Sequence, residues 1–150
     1  MSEFDAIIDY VEQSCKTRGK KLTPKRKLVL QTLLHANKAL SAYELLDYCQ
    51  THFKQPMQVM TIYRTLDFLE QELFVHKLTV SNQYVACSHI LCEDEHGTPQ
   101  FLICAKCNKI NEQIIDPQMM IGLKSNAQQE GFTVVNSQIE INGICDQCVE

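Results

Sequence analysis

Apolar residues recur at helical spacing in four successive stretches of the first half of the chain. The pattern predicts four helices, which cover residues 4–18, 24–35, 42–53 and 58–71. Thr23 is a good N-cap for the second helix, and Pro24 fits its first position. Ser41 and Glu44 form a capping box at the start of the third. The first half is therefore predicted to be mainly helical.

Alternating positions replace the helical pattern after the fourth helix. Residues 74–80 and 83–87 predict the two strands of a β-hairpin. A hairpin that follows such helices is typical of the wing of a winged helix-turn-helix. The last third of the chain predicts strands over residues 101–104, 110–115 and 135–141, with a helix between Asp116 and Gly131.

The predicted fold class is α+β, with two domains. A winged helix-turn-helix covers residues 1–87, a hinge covers 88–98, and an α/β domain covers 99–150. Three strands and one helix in about sixty residues make a thin core, so we expect the second domain to need further support, such as a bound ion or dimerisation.

The fourth helix carries an outward edge that suits DNA. Its apolar stripe places Arg64 almost directly away from the core, Tyr63 on the flank and Thr61 outward. The alternative is an all-helical core with no DNA role.

Composition indicates a globular, soluble, intracellular protein. The chain has 150 residues, of which 45% are hydrophobic and 21% charged, and no apolar run approaches a membrane span. A signal-peptide core is also lacking at the N-terminus. We expect neither a membrane partner nor a small-molecule substrate.

Charge is unevenly distributed along the chain. The net charge is −4, yet residues 1–82 carry eleven Lys and Arg against nine Asp and Glu, whereas residues 83–150 carry three against nine. Half of the basic residues lie between Lys16 and Lys27. This basic cluster, which includes Lys20, Lys21 and Arg26, fits either phosphate contact with DNA or a solvated face.

Two Cys-x-x-Cys pairs bracket the last third of the chain. Cys104, Cys107, Cys145 and Cys148 match a tetrahedral zinc site with two ligands from each of two tight turns. Disulfides or a redox motif are the alternatives. A redox motif needs only one such pair, and eight cysteines in a reducing compartment favour metal.

A second group of donor residues falls on the wing, the hinge and the first strands of the second domain. Two imidazoles, a thiolate and a carboxylate would make a mixed tetrahedral site that suits Zn²⁺. The sequence offers six candidates for it: His76, Cys87, His89, Cys92, His96 and Glu112.

Several segments together resemble the ferric uptake regulator superfamily. They include Leu22–Arg26, Thr61–Leu69, Phe74–Lys77 and both Cys pairs, in matching order and spacing. Ser41–Asp47, Phe74–Lys77 and Tyr84–Cys87 look most like the zinc uptake regulators of that superfamily.

The resemblance implies a bacterial, cytoplasmic, zinc-responsive repressor that binds double-stranded operator DNA as a homodimer. It implies two Zn²⁺ per protomer, one structural and one regulatory, with the four paired cysteines holding the structural ion. The regulatory ligands of the family match His76, Cys87, His96 and Glu112, of which His96 is the least fixed because His89 and Cys92 lie nearby. DNA contact from the recognition helix falls on Tyr63 and Arg64.

Two departures bear on the metal that is sensed. Iron-sensing members of the superfamily usually carry a His-rich run before the first Cys pair, whereas this chain has only His96 there. Asn136 stands where many members have a histidine. Both departures weaken the interpretation of the chain as an iron-sensing or peroxide-sensing regulator, which is the alternative within the same fold. A zinc-dependent hydrolase with Glu112 as general base is another alternative, but the sequence lacks the motifs expected of such an enzyme. A purely structural zinc-ribbon module leaves the winged helix unexplained.

Overall fold

The computed structural model of the chain describes residues 2–91, 97–135 and 138–149. These residues belong to two compact units, residues 1–91 and 92–150. The predicted ligand His96, its alternative Cys92 and the position of Asn136 lie outside the described residues. The predicted domain bounds, 1–87, 88–98 and 99–150, stay predictions.

Four helices form most of the N-terminal unit, as the periodicity predicts. They are α1 (Glu3–Thr17), α2 (Pro24–Ala36), α3 (Ala42–Phe53) and α4 (Val59–Gln71). Thr23 Oγ1 accepts a hydrogen bond from Arg26 N at 3.3 Å, which caps α2. Both halves of the predicted capping box at α3 are present, since Ser41 N donates to Glu44 Oε1 and Glu44 N donates to Ser41 Oγ.

The wing follows α4 as an antiparallel hairpin of β1 (Val75–Leu78) and β2 (Gln83–Ala86). Leu40, between α2 and α3, pairs with Tyr84 through two backbone hydrogen bonds of 2.9 and 2.7 Å. The wing is thereby tied to the connection between two helices, which fixes it against the helical core.

A single apolar core holds the N-terminal unit together. Every helix of the unit and both wing strands contribute to it, with Val11, Leu30, Leu45, Leu66 and Val75 at most 1% exposed. Full burial of an aliphatic side chain stabilises by roughly 1.5–3 kcal/mol, so this core is a firm base for the helix-turn-helix.

The C-terminal unit contains a three-stranded sheet and one helix in its described residues. The elements are β3 (Pro99–Cys104), β4 (Ile110–Ile114), α5 (Pro117–Gln129) and β5 (Ile139–Gly143). β3 lies in the centre, antiparallel to β4 and parallel to β5. The predicted α+β fold class is confirmed.

The predicted strand over residues 135–141 is wrong at both ends. Val135 is 93% exposed and lies outside any strand, and β5 instead spans Ile139–Gly143. The register pairs Ile139 with Gln100, and the residue before Gln100 is Pro99, which has no N–H to extend the ladder upstream. The downstream end continues to Gly143, opposite Cys104.

The C-terminal unit buries little apolar surface, as its predicted thin core requires. Among the described residues of this unit, those that are buried are Phe101, Cys104, Ile115 and Met120. Leu123, which shares a predicted helix face with Met120, is 47% exposed. Other exposed apolar residues of the unit are Met119, Ile121, Phe132, Ile141, Ile144 and Val149. Among the described residues, no helix combines the length and apolar character needed to cross a membrane.

Candidate metal centre and nucleic-acid surface

The first Cys-x-x-Cys pair lies in the tight turn between β3 and β4. Cys104 is the last residue of β3, and its N–H donates to the carbonyl of Lys109 at 2.9 Å. Asn108 closes the turn with a φ of 63° and donates its N–H to the carbonyl of Cys104. Asn tolerates this left-handed conformation better than most residues, so the local sequence favours the turn.

The second pair follows β5 and reaches the first through the sheet register. Gly143 pairs with Cys104 across the parallel ladder, and Ala105 N donates to Gly143 O at 2.8 Å. Within the second turn, Cys148 N donates to Cys145 O at 3.0 Å. Neighbouring ends of two strands therefore carry the two turns.

The four thiols converge in the structure. The Sγ atoms of Cys104, Cys107, Cys145 and Cys148 all lie within 4.8 Å of one another. Cys107 Sγ and Cys145 Sγ are 3.7 Å apart, too far for a disulfide. A tetrahedron with Zn–S bonds of about 2.3 Å has sulfur–sulfur edges of about 3.8 Å. The donor set and its spacing thus fit a zinc ion.

Hydrogen bonds within this centre give Cys104 and Cys148 different pKa values. The backbone amide of Cys145, and after it that of Cys107, lowers the pKa of Cys104 to about 6. Hydrogen bonds with the thiols of Cys145 and Cys107 raise the pKa of Cys148 to about 12. One sulfur is thus ready to act as a thiolate ligand at neutral pH, while another holds its proton until a cation replaces it.

Lys106 is a contact in this centre that sequence reasoning missed. Its Nζ donates to the carbonyl of Cys148 at 3.3 Å, so it links the first turn to the second. A lysine between two cysteines is ordinarily taken for a solvated residue. Its only sequence signal is its place inside the Cys-x-x-Cys pair.

Two of the predicted regulatory ligands meet in the N-terminal unit. His76 lies on β1, Cys87 follows β2, and a ring nitrogen of His76 lies within 4.8 Å of Cys87 Sγ. Cys87 is 3% exposed, and its N–H donates to Phe74 O at 2.9 Å, which fixes the thiol at the base of the wing. Imidazole and thiolate together are typical zinc ligands.

The other candidates for the regulatory site are placed as follows. Glu112 lies on β4 of the C-terminal unit, half-buried, opposite Phe101. His89 donates its backbone N–H to Cys87 Sγ at 3.4 Å. Its Nε2 is buried and has no hydrogen-bond partner among the described residues. Whether His96, His89 or Cys92 completes the set stays a prediction.

The predicted outward edge of α4 is exposed to different degrees. Arg64 is exposed, whereas Thr61 and Tyr63 are half-buried, and Tyr63 packs against the core. Ile62, Leu66 and Leu69 are fully buried on the opposite side. Of the three predicted contact residues on α4, Arg64 is therefore the most exposed.

The basic cluster is partly engaged within the protein. Arg18 and Lys20 lie 3.1 and 4.0 Å from carboxylate oxygens of Glu72. Arg26 stacks on the Phe68 ring at 3.7 Å from its centroid and donates to a backbone carbonyl at 2.8 Å.

Three lysines of the cluster remain available to an outside partner. In the part of the chain that the structure describes, no ion pair involves Lys16, Lys21 or Lys25, and all three are exposed.

Comparison with known proteins places these features in context. The sequence matches the Ferric uptake regulator family over residues 17–142. The zinc uptake regulation protein of Escherichia coli (strain K12) is 35% identical over 144 residues, which cover 96% of this chain and 82% of that protein. The ferric uptake regulation protein of Synechococcus elongatus is 29% identical over 133 residues, which cover 87% of each.

A solved structure supports the same relationship. It is described as a zinc uptake regulator complexed with zinc and DNA, and it aligns with a TM-score of 0.84 at 31% identity. The alignment covers 99% of this chain and 96% of that chain.

Proposed function

The chain belongs to the ferric uptake regulator family, and we propose that it is a zinc-responsive transcriptional repressor. It binds operator DNA as a zinc-loaded homodimer and controls zinc uptake genes. The observation that carries the proposal is the likeness, over nearly the whole chain, to zinc uptake regulators, one of them solved with zinc and DNA. The chain is a regulator rather than an enzyme, so the hydrolase alternative is set aside.

Zinc is the metal that the residues of the chain fit best. Four thiols at tetrahedral spacing make one site in the C-terminal unit. We propose two ions per protomer, one held permanently by the four cysteines and one held reversibly elsewhere. A closed four-sulfur site leaves no open position, which suits a structural ion and not a catalytic one.

The reversible ion would be held by His76, Cys87, His96 and Glu112. His76 and Cys87 supply a nitrogen and a sulfur at the base of the wing. Glu112 belongs to the C-terminal unit, on the strand that leaves the first Cys turn. When bound, zinc supplies a crosslink among these donors, so operator binding would depend on whether this site is filled.

DNA recognition would fall to α4 and the basic cluster. The N-terminal part of a recognition helix enters the major groove, which suits Arg64 for base edges or phosphate and Tyr63 for a thymine methyl group. Thr61 lies on the same helix segment. Lys20, Lys21 and Arg26 would contribute phosphate contacts, Lys21 most freely because its side chain has no internal ion pair among the described residues.

The homodimer is supported by the exposed apolar residues of the C-terminal unit. Ile121 on α5 and Ile141 on β5 are 60% and 45% exposed in a unit that buries few residues of its own. Such exposure in a thin domain is typical of a surface that a second subunit covers.

Metal selectivity of operator binding tests the proposal. An operator is first selected from random DNA with the zinc-loaded protein. Binding to it is then measured after metal removal and after return of Zn²⁺, Fe²⁺ or Mn²⁺. We expect zinc to restore binding at the lowest free concentration. Because such donor sets generally bind Zn²⁺ more tightly than Fe²⁺ or Mn²⁺, full restoration by either of these two metals, even at higher free concentration, would favour the iron or peroxide sensor instead.

A further inference from the structure

Met60 is an apolar side chain in the first turn of the recognition helix. It is 55% exposed, whereas Ile62, Leu66 and Leu69 of the same helix are fully buried. Arg64, Asp67 and Gln71, which lie within about 40° of its direction, are exposed and polar. Met60 therefore stands alone as an apolar group on a polar face.

Helix geometry places Met60 beside Arg64 on the outward side of α4. Four residues of α-helix turn about 400° and rise about 6 Å, so the two side chains point within about 40° of each other. A spacing of about 6 Å corresponds to one or two base pairs along a groove. Whatever Arg64 contacts, Met60 faces a position close to it.

Packing within the protein does not account for Met60. Met57, Tyr63 and Phe68 lie against the apolar core, and Met60 is absent from that set of partly buried neighbours. Tyr63 is half-buried, so its ring has less freedom to reach a partner than the unbranched side chain of Met60.

The helix start is also open to DNA. Gln58 makes no side-chain cap, and the first turn of α4 carries no acidic residue. The other four helices of the described chain each have a side-chain cap, from Ser2, Thr23, Ser41 and Asp116. No carboxylate of that first turn therefore stands between Met60 and an approaching phosphate backbone.

We propose that Met60 is a specificity-determining residue that reads the 5-methyl group of a thymine one or two base pairs from the contact of Arg64. Thymine is the one base that presents an apolar group in the major groove, so it is the natural partner of a flexible apolar side chain. The inference rests on the proposed operator-binding function and adds a base-reading role to it.

Deletion of single methyl groups from the operator tests the pairing. Each thymine of the selected operator is replaced in turn by deoxyuridine, which removes only the 5-methyl group. Affinities of wild type and Met60→Ala are compared at fixed salt and free zinc. Met60→Leu, which keeps an apolar side chain, and Met60→Gln, which has similar length but is polar, complete the set.

One thymine in each half-site should couple to Met60. Deoxyuridine at that position should weaken wild-type binding about fourfold, from the loss of one buried methyl-sized group. Met60→Ala should already be weaker by a similar factor and lose nothing more at that position. Met60→Leu should keep the methyl dependence, and Met60→Gln should lose it.

Equal losses for wild type and Met60→Ala at every thymine would overturn the inference while leaving the proposed function intact. Indifference of the wild type to every deoxyuridine would do the same. Failure of the zinc-loaded wild type to select any operator would overturn both. Helix content by circular dichroism should be unchanged in all variants, because residue 60 is outside the core.

Discussion

At the scale of single residues, we expect the two kinds of cysteine site to have different roles. Cys104 belongs to a four-thiol centre that joins the ends of β3 and β5 in a unit with few buried residues. Cys87 is fixed under the wing, beside His76. Loss of the Cys104 thiol and loss of the Cys87 thiol should therefore have different effects on the protein.

Cys104→Ser should remove the structural zinc and unfold or dissociate the C-terminal unit, because a structural site contributes on the order of 10 kcal/mol of binding free energy to the folded form. Cys87→Ser should leave a folded dimer with one zinc and weaken zinc-dependent operator binding about a hundredfold, since that needs only roughly 3 kcal/mol of coupling.

Both predictions are checked by measuring zinc content, oligomeric state and operator affinity of the two cysteine variants. Cys49→Ser is the control, because Cys49 is a buried thiol held by Thr32 and outside both metal sites. It should keep both zinc ions. Unchanged zinc dependence in Cys87→Ser would remove Cys87 from the regulatory site.

Arg64 and Lys21 should separate base reading from phosphate contact. Arg64→Ala should cost about tenfold or more in affinity and relax sequence preference. Lys21→Gln should weaken binding to all sequences and reduce the slope of log affinity against log salt by about 1. Binding measured from low to moderate salt shows both effects, with Lys124→Gln on α5 as the control. An unchanged slope in Lys21→Gln would take Lys21 off the DNA surface.

At the scale of elements, local signals predicted the start of helices well and the ends of strands poorly. Thr23 and the Ser41–Glu44 capping box act through residues three apart, so the sequence itself contains the whole interaction. The lower end of β5 depends on Pro99, forty residues away, which no local pattern around Val135 reveals.

The capping box of α3 makes a measurable contribution. Ser41→Ala should lower the free energy of unfolding by about 1 kcal/mol, because the N–H of Glu44 loses its acceptor. Denaturation of the zinc-loaded protein by urea measures the change. Ser81→Ala, in the turn of the wing, should change stability by much less. Equal effects of the two substitutions would show that the cap does not stabilise α3.

The candidate sites show the same limit of sequence reasoning. Cys-x-x-Cys spacing identified the four thiols, but the pairing of Gly143 with Cys104 that brings them together is a long-range register. Helical geometry gave the outward direction of Arg64. It could not show that Arg26 stacks on Phe68, which depends on the packing of α2 against α4.

At the scale of the whole molecule, the exposed apolar residues of the C-terminal unit are expected to contact a second subunit. Ile121→Glu or Ile141→Glu should dissociate the dimer, since a buried unpaired carboxylate is strongly unfavourable. Val80→Glu is the control, because Val80 is 78% exposed in the wing of the other unit. Sedimentation of the zinc-loaded proteins distinguishes them. Dimers in both isoleucine variants would place the subunit contact elsewhere.

In the proposed function, a second, reversible zinc controls operator binding while the four-thiol zinc stays in place. The most direct measurement is operator retention against buffered free zinc, with zinc per protomer counted in the same samples. We expect about two zinc ions per protomer in the DNA-bound form and about one when DNA is released. One tightly held zinc in both forms would contradict it.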